Sequence, residues 1–269
     1  MFLHAHFILD KTANLTRQDM EPPMVKPPSS IAVLAAVASL TILPHAGAED
    51  LLERSYATGS MKSLVLASAA GDVTIRPTSS GQAVVRAAKQ VFGAGCHLDM
   101  TLKDGELRVE NRALAAGATC KVAFEITLPR SAGVDLELGS GNLALEGVHG
   151  PLRYQIGSGD TRLSRLAPPS LEGRTGAGNL AVESCELTTA QLKIGAGTAA
   201  ITLSRAPDKG RLDVHLGTGN AVISLPHNAR VKSSFRAGLG TLTNEFVSTA
   251  SGFEISGTAG TGDMTIRKL

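Results

Sequence analysis

Arg174, Lys193, His215 and Arg236 each stand two residues before a glycine pair of the form G-x-G. If the segments that carry them stack in register, the four side chains form one outward stripe. Stacked cations repel unless something anionic lies beside them. Such a stripe suits an anionic partner, for example an acidic polysaccharide or a lipid headgroup. The plainer reading is that Glu172 and Asp213, two residues back on the same face, neutralise it. A second column, four residues before each pair, reads Asp135, Arg153, Glu172, Gln191, Asp213, Ser234 and Ser256. Its acids fall on alternate segments, roughly 10 Å apart at ~4.8 Å per strand. A glycosidase pair needs about 5–9.5 Å. With no G-x-S-x-G nucleophile motif and no aromatic sugar platform, this column reads as a solvated ladder. A polysaccharide-acting β-helix enzyme is thus an alternative with little to carry it.

What positions these residues is a repeat. The G-x-G pairs are Gly139 and Gly141, Gly157 and Gly159, Gly176 and Gly178, Gly195 and Gly197, Gly217 and Gly219, Gly238 and Gly240, and Gly260 and Gly262. They recur every 18–22 residues, and a degenerate copy, AAGD, begins at Ala69. Apolar residues alternate on both sides, as in Leu136/Leu138 before and Leu143/Leu145 after the first pair. Thr161 and Asn244 interrupt the alternation. Period two means strand. Each unit is therefore strand, glycine turn, strand, turn, and one unit cannot enclose a core while a stack of them can. The expected fold is all-β: a single-stranded β-solenoid of about seven coils, with a β-sandwich as the alternative. Glycine suits the turns because positive φ costs it nothing. The Asn or Asp that follows tolerates the left-handed region and bonds its own backbone.

Other chemistries that these motifs invite find no support. G-x-G followed by strand offers no helix N-terminus for a pyrophosphate, so no nucleotide cofactor is expected. Calcium β-rolls repeat every nine residues, not every 18–22. There is no C-x-x-C or H-E-x-x-H, and His97, His149, His215 and His227 are dispersed, so no metal or other cofactor is expected. The chain has 269 residues, 43% apolar and 3% aromatic, with no Trp, and a net charge of +2. That balance excludes charge-driven nucleic-acid binding and a base-stacking platform.

Residues 1–48 read as an upstream extension plus a Sec-type signal peptide. Lys26 precedes an uncharged run from Ile31 to Leu43, and Ala46-Gly47-Ala48 is a small-x-small cleavage site. Met24, or Met20, is the expected true start, with cleavage after Ala48. The run is too short to span a membrane, and no later run is long enough, so the chain is not transmembrane. The expected location is periplasmic, or extracellular on the cell surface. There Cys96 and Cys120, each just before a strand-like run, are the candidate disulfide, and Cys185 is left as a buried thiol. Residues 49–135 read as an N-terminal β segment and cap, with a hairpin at Asp104-Gly105. Residues 136–269 are the glycine-rich solenoid. Arg267 and Lys268 are expected as edge charges at its far end.

GDVTI, DGELRVENR and EITLPRSAGVDLELGSGNLALEGVHGPLRYQIGSGD, over roughly 63–269, resemble the bacterial putative-adhesin family of β-strand-repeat proteins. That is a domain of unknown function with GSGD repeats. The resemblance implies an extracytoplasmic β-solenoid with no catalytic residues. Thr198 and Thr241 stand where the pattern has Asn or Asp. The function expected is a non-enzymatic, adhesin-like interaction module of the envelope or surface. The alternative is an accessory envelope-stress protein that binds another envelope protein.

Overall fold

The computed structural model describes residues 50–269. The leader, the start-site reading and the cleavage after Ala48 lie outside the described residues. The strands are β1 (Asp50–Ala57), β2 (Ser63–Ala70), β3 (Val73–Thr78), β4 (Gln82–Val91), β5 (Cys96–Lys103), β6 (Glu106–Ala113) and β7 (Lys121–Pro129). They continue as β8 (Gly133–Ser140), β9 (Leu143–Glu146), β10 (Leu152–Ser158), β11 (Thr161–Ser164), β12 (Leu171–Ala177), β13 (Leu180–Glu186) and β14 (Thr189–Ala196). The last are β15 (Ala199–Arg205), β16 (Arg211–Thr218), β17 (Ala221–Leu225), β18 (Val231–Leu239), β19 (Leu242–Asn244), β20 (Phe253–Thr261) and β21 (Met264–Lys268). One 3-10 turn, Thr58–Ser60, is the only helical element among the described residues.

The strands build a β-solenoid with two parallel walls. One wall runs β6-β2-β8-β10-β12-β14-β16-β20-β18. The other runs β7-β3-β9-β11-β13-β15-β17-β21-β19. Each rung contributes one strand to each wall. Every G-x-G pair makes the corner between its two strands, and AAGD makes the β2–β3 corner. The seven motif coils are joined by two further rungs, β2/β3 and β6/β7.

Neither end follows sequence order. β2/β3 sits between β6/β7 and β8/β9, and β20/β21 sits between β16/β17 and β18/β19. The outermost C-terminal rung is therefore β18/β19. The strand of Arg267 and Lys268 is not the outermost one, since it lies between β17 and β19, although its pairing with β19 stops at Ile266. Arg267 Nε instead donates to Ser224 Oγ at 2.9 Å.

Alternation puts columns of small apolar residues inside. Leu145, Leu163, Val182, Ile201, Ile223 and Ile266 stack in one such column, all buried. Tyr154 fits the narrow interior because its partner on the next rung is Gly173. A Cβ there would overlap the Tyr154 ring. Phe235 and Gly257 repeat the device. Of the two residues that break the alternation, Thr161 is buried within the stack. Asn244 sits on the exposed last rung, where its Nδ2 donates to Ser233 Oγ and its Oδ1 accepts from Phe246 N.

The turn chemistry differs from the expectation in one respect. Positive φ falls on the second glycine of each pair, from 125° to 142° for Gly262 and Gly197, and not on the Asn or Asp. Those side chains reach across to the next rung instead of to their own backbone. Asp72 accepts from Asn142 N, Asn142 from Asp160 N, Asp160 from Asn179 N and Asn179 from Thr198 N, at 2.8–3.1 Å. The ladder pauses at Thr198, whose hydroxyl donates back to Asn179 at 2.7 Å. It resumes from Asn220 to Asp263 N and from Asp263 to Thr241 N.

The N-terminal end finishes in antiparallel strands. β4 pairs antiparallel with β7, β1 with β4, and β5 with β6. Tyr56 Oη donates to Met100 O across this end at 3.1 Å. A disulfide joins Cys96 to Cys120, and Cys185 is a buried free thiol. No helix among the described residues is long and apolar enough to cross a membrane.

Candidate functional site: a cationic groove

On the first wall, the residues two before each glycine pair alternate with buried ones and point outward. In register they run Glu137, Gln155, Arg174, Lys193, His215, Thr258, Arg236. Arg174, Lys193 and His215 are neighbours on consecutive strands. At ~4.8 Å per strand they span about 10 Å. Arg236 is not contiguous with them. The crossed strand order inserts Thr258 between it and His215, and His215 Nδ1 lies 2.7 Å from Thr258 Oγ1. Sequence order alone placed Arg236 next to His215, because the spacing of the motifs does not encode which coil lies outermost.

Beside the cations runs a shallow groove of about 650 Å³, lined by Gln155, Arg174, Lys193 and His215 and floored by Gly157, Gly176, Gly195 and Gly217. The floor is bare backbone by necessity. A Cβ on Gly176 would run into the carbonyl oxygen of Gly157, and likewise up the column.

Neutralisation is partial. Arg174 pairs with Glu172, Nη2 to Oε1 at 3.0 Å, as the plainer reading expects. Asp213, the other expected compensator, is held chiefly by Arg211, with His215 of the stripe a lesser electrostatic neighbour. Arg211 grips it at 2.7 and 3.0 Å, and Ser256 Oγ donates to it. Burial pushes the Asp213 carboxyl up, but these donors and the Arg211 charge outweigh it and hold it below the usual carboxylate range. Arg211 went unnoticed in the sequence because it lies outside both columns. Among the described residues, Lys193 and Arg236 have no ion pair.

The second column runs Asp135, Arg153, Glu172, Gln191, Asp213, Ser256, Ser234 in register. Its carboxylates stay on alternate rungs, about 10 Å apart. A groove of about 450 Å³ lies beside Asp135, Arg153, Glu172 and Gln191. Its lining has two acids to one base, so it does not favour an anionic ligand. The cationic groove does.

No family model matches the chain, and no curated protein matches it. Solved structures with similar architecture include a "putative cell adhesion protein" from Clostridium sporogenes, 14% identical over 81% of this chain and 100% of that one, with a TM-score of 0.39. Another is a "putative adhesin" from Bacteroides fragilis, 12% identical over 81% and 97%, with a TM-score of 0.43. A "putative lipid binding protein" from Parabacteroides distasonis is 10% identical over 83% and 98%, with a TM-score of 0.39. Identities this low transfer neither ligand nor activity to this chain.

Proposed function

We propose that the chain is an exported, non-enzymatic β-solenoid interaction module of the cell envelope or surface. It binds an extended anionic partner, an acidic polysaccharide or a file of lipid headgroups, along the Arg174–Lys193–His215 groove. One observation carries this reading: Arg174 and Lys193, two cations on adjacent strands, stand with His215 beside a groove whose floor is glycine. The leader at 24–48 and the Cys96–Cys120 disulfide support export, since disulfides persist in oxidising compartments. A rigid stack matches a linear polyanion because its cation spacing is fixed before binding, which lowers the ordering cost.

The test is binding of the purified chain to acidic glycans and to anionic vesicles at low and moderate salt. The Arg174→Glu/Lys193→Glu variant is measured in parallel. Salt-sensitive binding that drops at least tenfold in the variant is expected. Binding that the variant retains in full overturns the assignment to this groove.

A further inference from the structure

The two grooves of the first wall lie at opposite edges of its outer face. The cationic one follows the glycine corners, where the strands end. The one of about 450 Å³ follows the strand starts. Its shape comes from what stands at those starts. On β6 and on β16 a long charged residue begins the strand and grips the one two further on. Arg108 Nη2 lies 2.7 Å from Glu106 Oε1, and Arg211 Nε lies 2.7 Å from Asp213 Oδ2. On the five strands between them the same position holds Ser63, Gly133, Pro151, Ser170 and Thr189. These are too short to reach across. The surface is thus left open as a trough between two ion pairs, four strand steps or about 19 Å long.

The other side of the trough is the column Val65, Asp135, Arg153, Glu172 and Gln191. Asp135 and Arg153 are register partners on adjacent strands, yet among the described residues neither has an ion pair. Gln191 makes no side-chain hydrogen bond among those residues. Glu172 gives Oε1 to Arg174 at 3.0 Å, which leaves its second oxygen for the trough. Acceptor, donor, acceptor and amide therefore follow one another at ~4.8 Å intervals.

We propose that this trough binds a neutral oligosaccharide of about four sugars, laid along the solenoid axis. A ligand of one charge meets repulsion from either Asp135 or Arg153. A hydroxyl both donates and accepts, so a chain of hydroxyls serves carboxylate, guanidinium and amide in turn. A small zwitterion would satisfy Asp135 and Arg153 alone and leave most of the trough unfilled. One pyranose is about as long as the ~4.8 Å strand step, so successive sugars meet successive strands. Val65 and Pro151 offer apolar surface to the ring C–H groups. With no aromatic ring to stack on, hydrogen bonds carry the recognition, and it discriminates by hydroxyl pattern. The site is separate from the cationic groove and does not depend on it.

Isothermal titration of the purified chain tests this, with neutral oligomers of glucose, mannose, xylose and N-acetylglucosamine from two to six sugars long. Concentrations run to about 5 mM, above the ~1 mM of weak binding. At least one series should bind, with affinity rising with length and levelling off near four sugars. Added salt should change it less than twofold, because the ligand carries no charge. Ser170→Arg copies the Arg211–Asp213 arrangement onto Glu172 and fills the trough. It should weaken binding at least tenfold while the melting temperature confirms folding. Arg153→Met keeps the length and removes the donors, and should cost about tenfold. Lys193→Glu, in the cationic groove, should leave sugar binding unchanged. No binding by any series overturns the proposal. So does binding that Ser170→Arg and Arg153→Met both retain, or binding that Lys193→Glu abolishes. Tighter binding of glycine betaine than of every sugar would make the site zwitterion-selective and overturn it as well.

Discussion

A single glycine decides whether Tyr154 can be buried. Gly173 faces it on the next rung, and a methyl group there would overlap the phenol ring. Gly173→Ala should cost about 1–3 kcal/mol, the usual range for overpacking a tight core. The Gly173→Ala/Tyr154→Leu pair should recover part of that loss, because the two residues are in contact and their effects do not add. Chemical denaturation of the four proteins of the cycle measures this; strict additivity would mean the two sites are uncoupled. The same burial pushes the Tyr154 phenol above its ordinary value of 10, and desolvation raises Tyr56 as well. Raised folded values favour the neutral form. Their contribution is intact below pH 10 and is lost as the pH climbs through the folded values. An absorbance titration should show phenolate appearing only above pH 10 and together with unfolding. None of this was legible in the sequence, where Gly173 lies outside every G-x-G pair and looks like an ordinary repeat variation. Its role comes from the neighbouring rung, 19 positions away.

At the scale of the element, the glycine corners and the alternation were plain in the sequence. Turn type and strand period are local properties, and the buried columns follow them residue by residue. The use of the Asn/Asp position was not legible, because its partners lie on another coil. Asp160 shows the consequence. It accepts from Asn179 N at 2.8 Å and from Asn179 Nδ2 at 3.2 Å, at an exposed site. Asp160→Ala should cost about 1 kcal/mol, the net worth of such a bond. Asp160→Asn keeps the acceptor and should cost little. Urea unfolding separates the two, and equal losses would mean the charge rather than the acceptor matters. The cap depends on a covalent element. The Cys96–Cys120 link closes a separation of 24 residues, which by loop entropy is worth about 3 kcal/mol. The Cys96→Ser/Cys120→Ser variant should melt earlier, and the loss of protection should begin in β5 and the 114–119 segment beside it.

For the whole molecule, the seven motif coils and their stacking were legible, but the β6/β7 rung that extends the stack and the order of the rungs at the ends were not. The last glycine pairs are spaced 21 and 22 residues apart, about as they would be in an unbroken progression, so nothing in the spacing betrays the crossing. That hidden order placed Thr258 inside the cationic column, moved Arg236 out to the last rung and took the strand of Arg267 off the edge. It also makes the C-terminal coil a keystone: β20 and β21 supply the wall partners of β18 and β19. Removing residues 253–269 therefore strips two rungs rather than one. Hydrogen exchange on the shortened chain should show β18 and β19 losing protection to the level of an unfolded segment while β12–β15 stay protected. The crossing would be dispensable if β18 and β19 simply moved inward to pair with β16 and β17; their amides would then keep their protection. That outcome would put Arg236 beside His215 and make the four-residue stripe contiguous, so the shortened chain should bind an anionic ligand more tightly. Weaker or unchanged binding together with lost protection is what the crossed order requires, because the Arg174–Lys193–His215 run does not depend on the last two rungs.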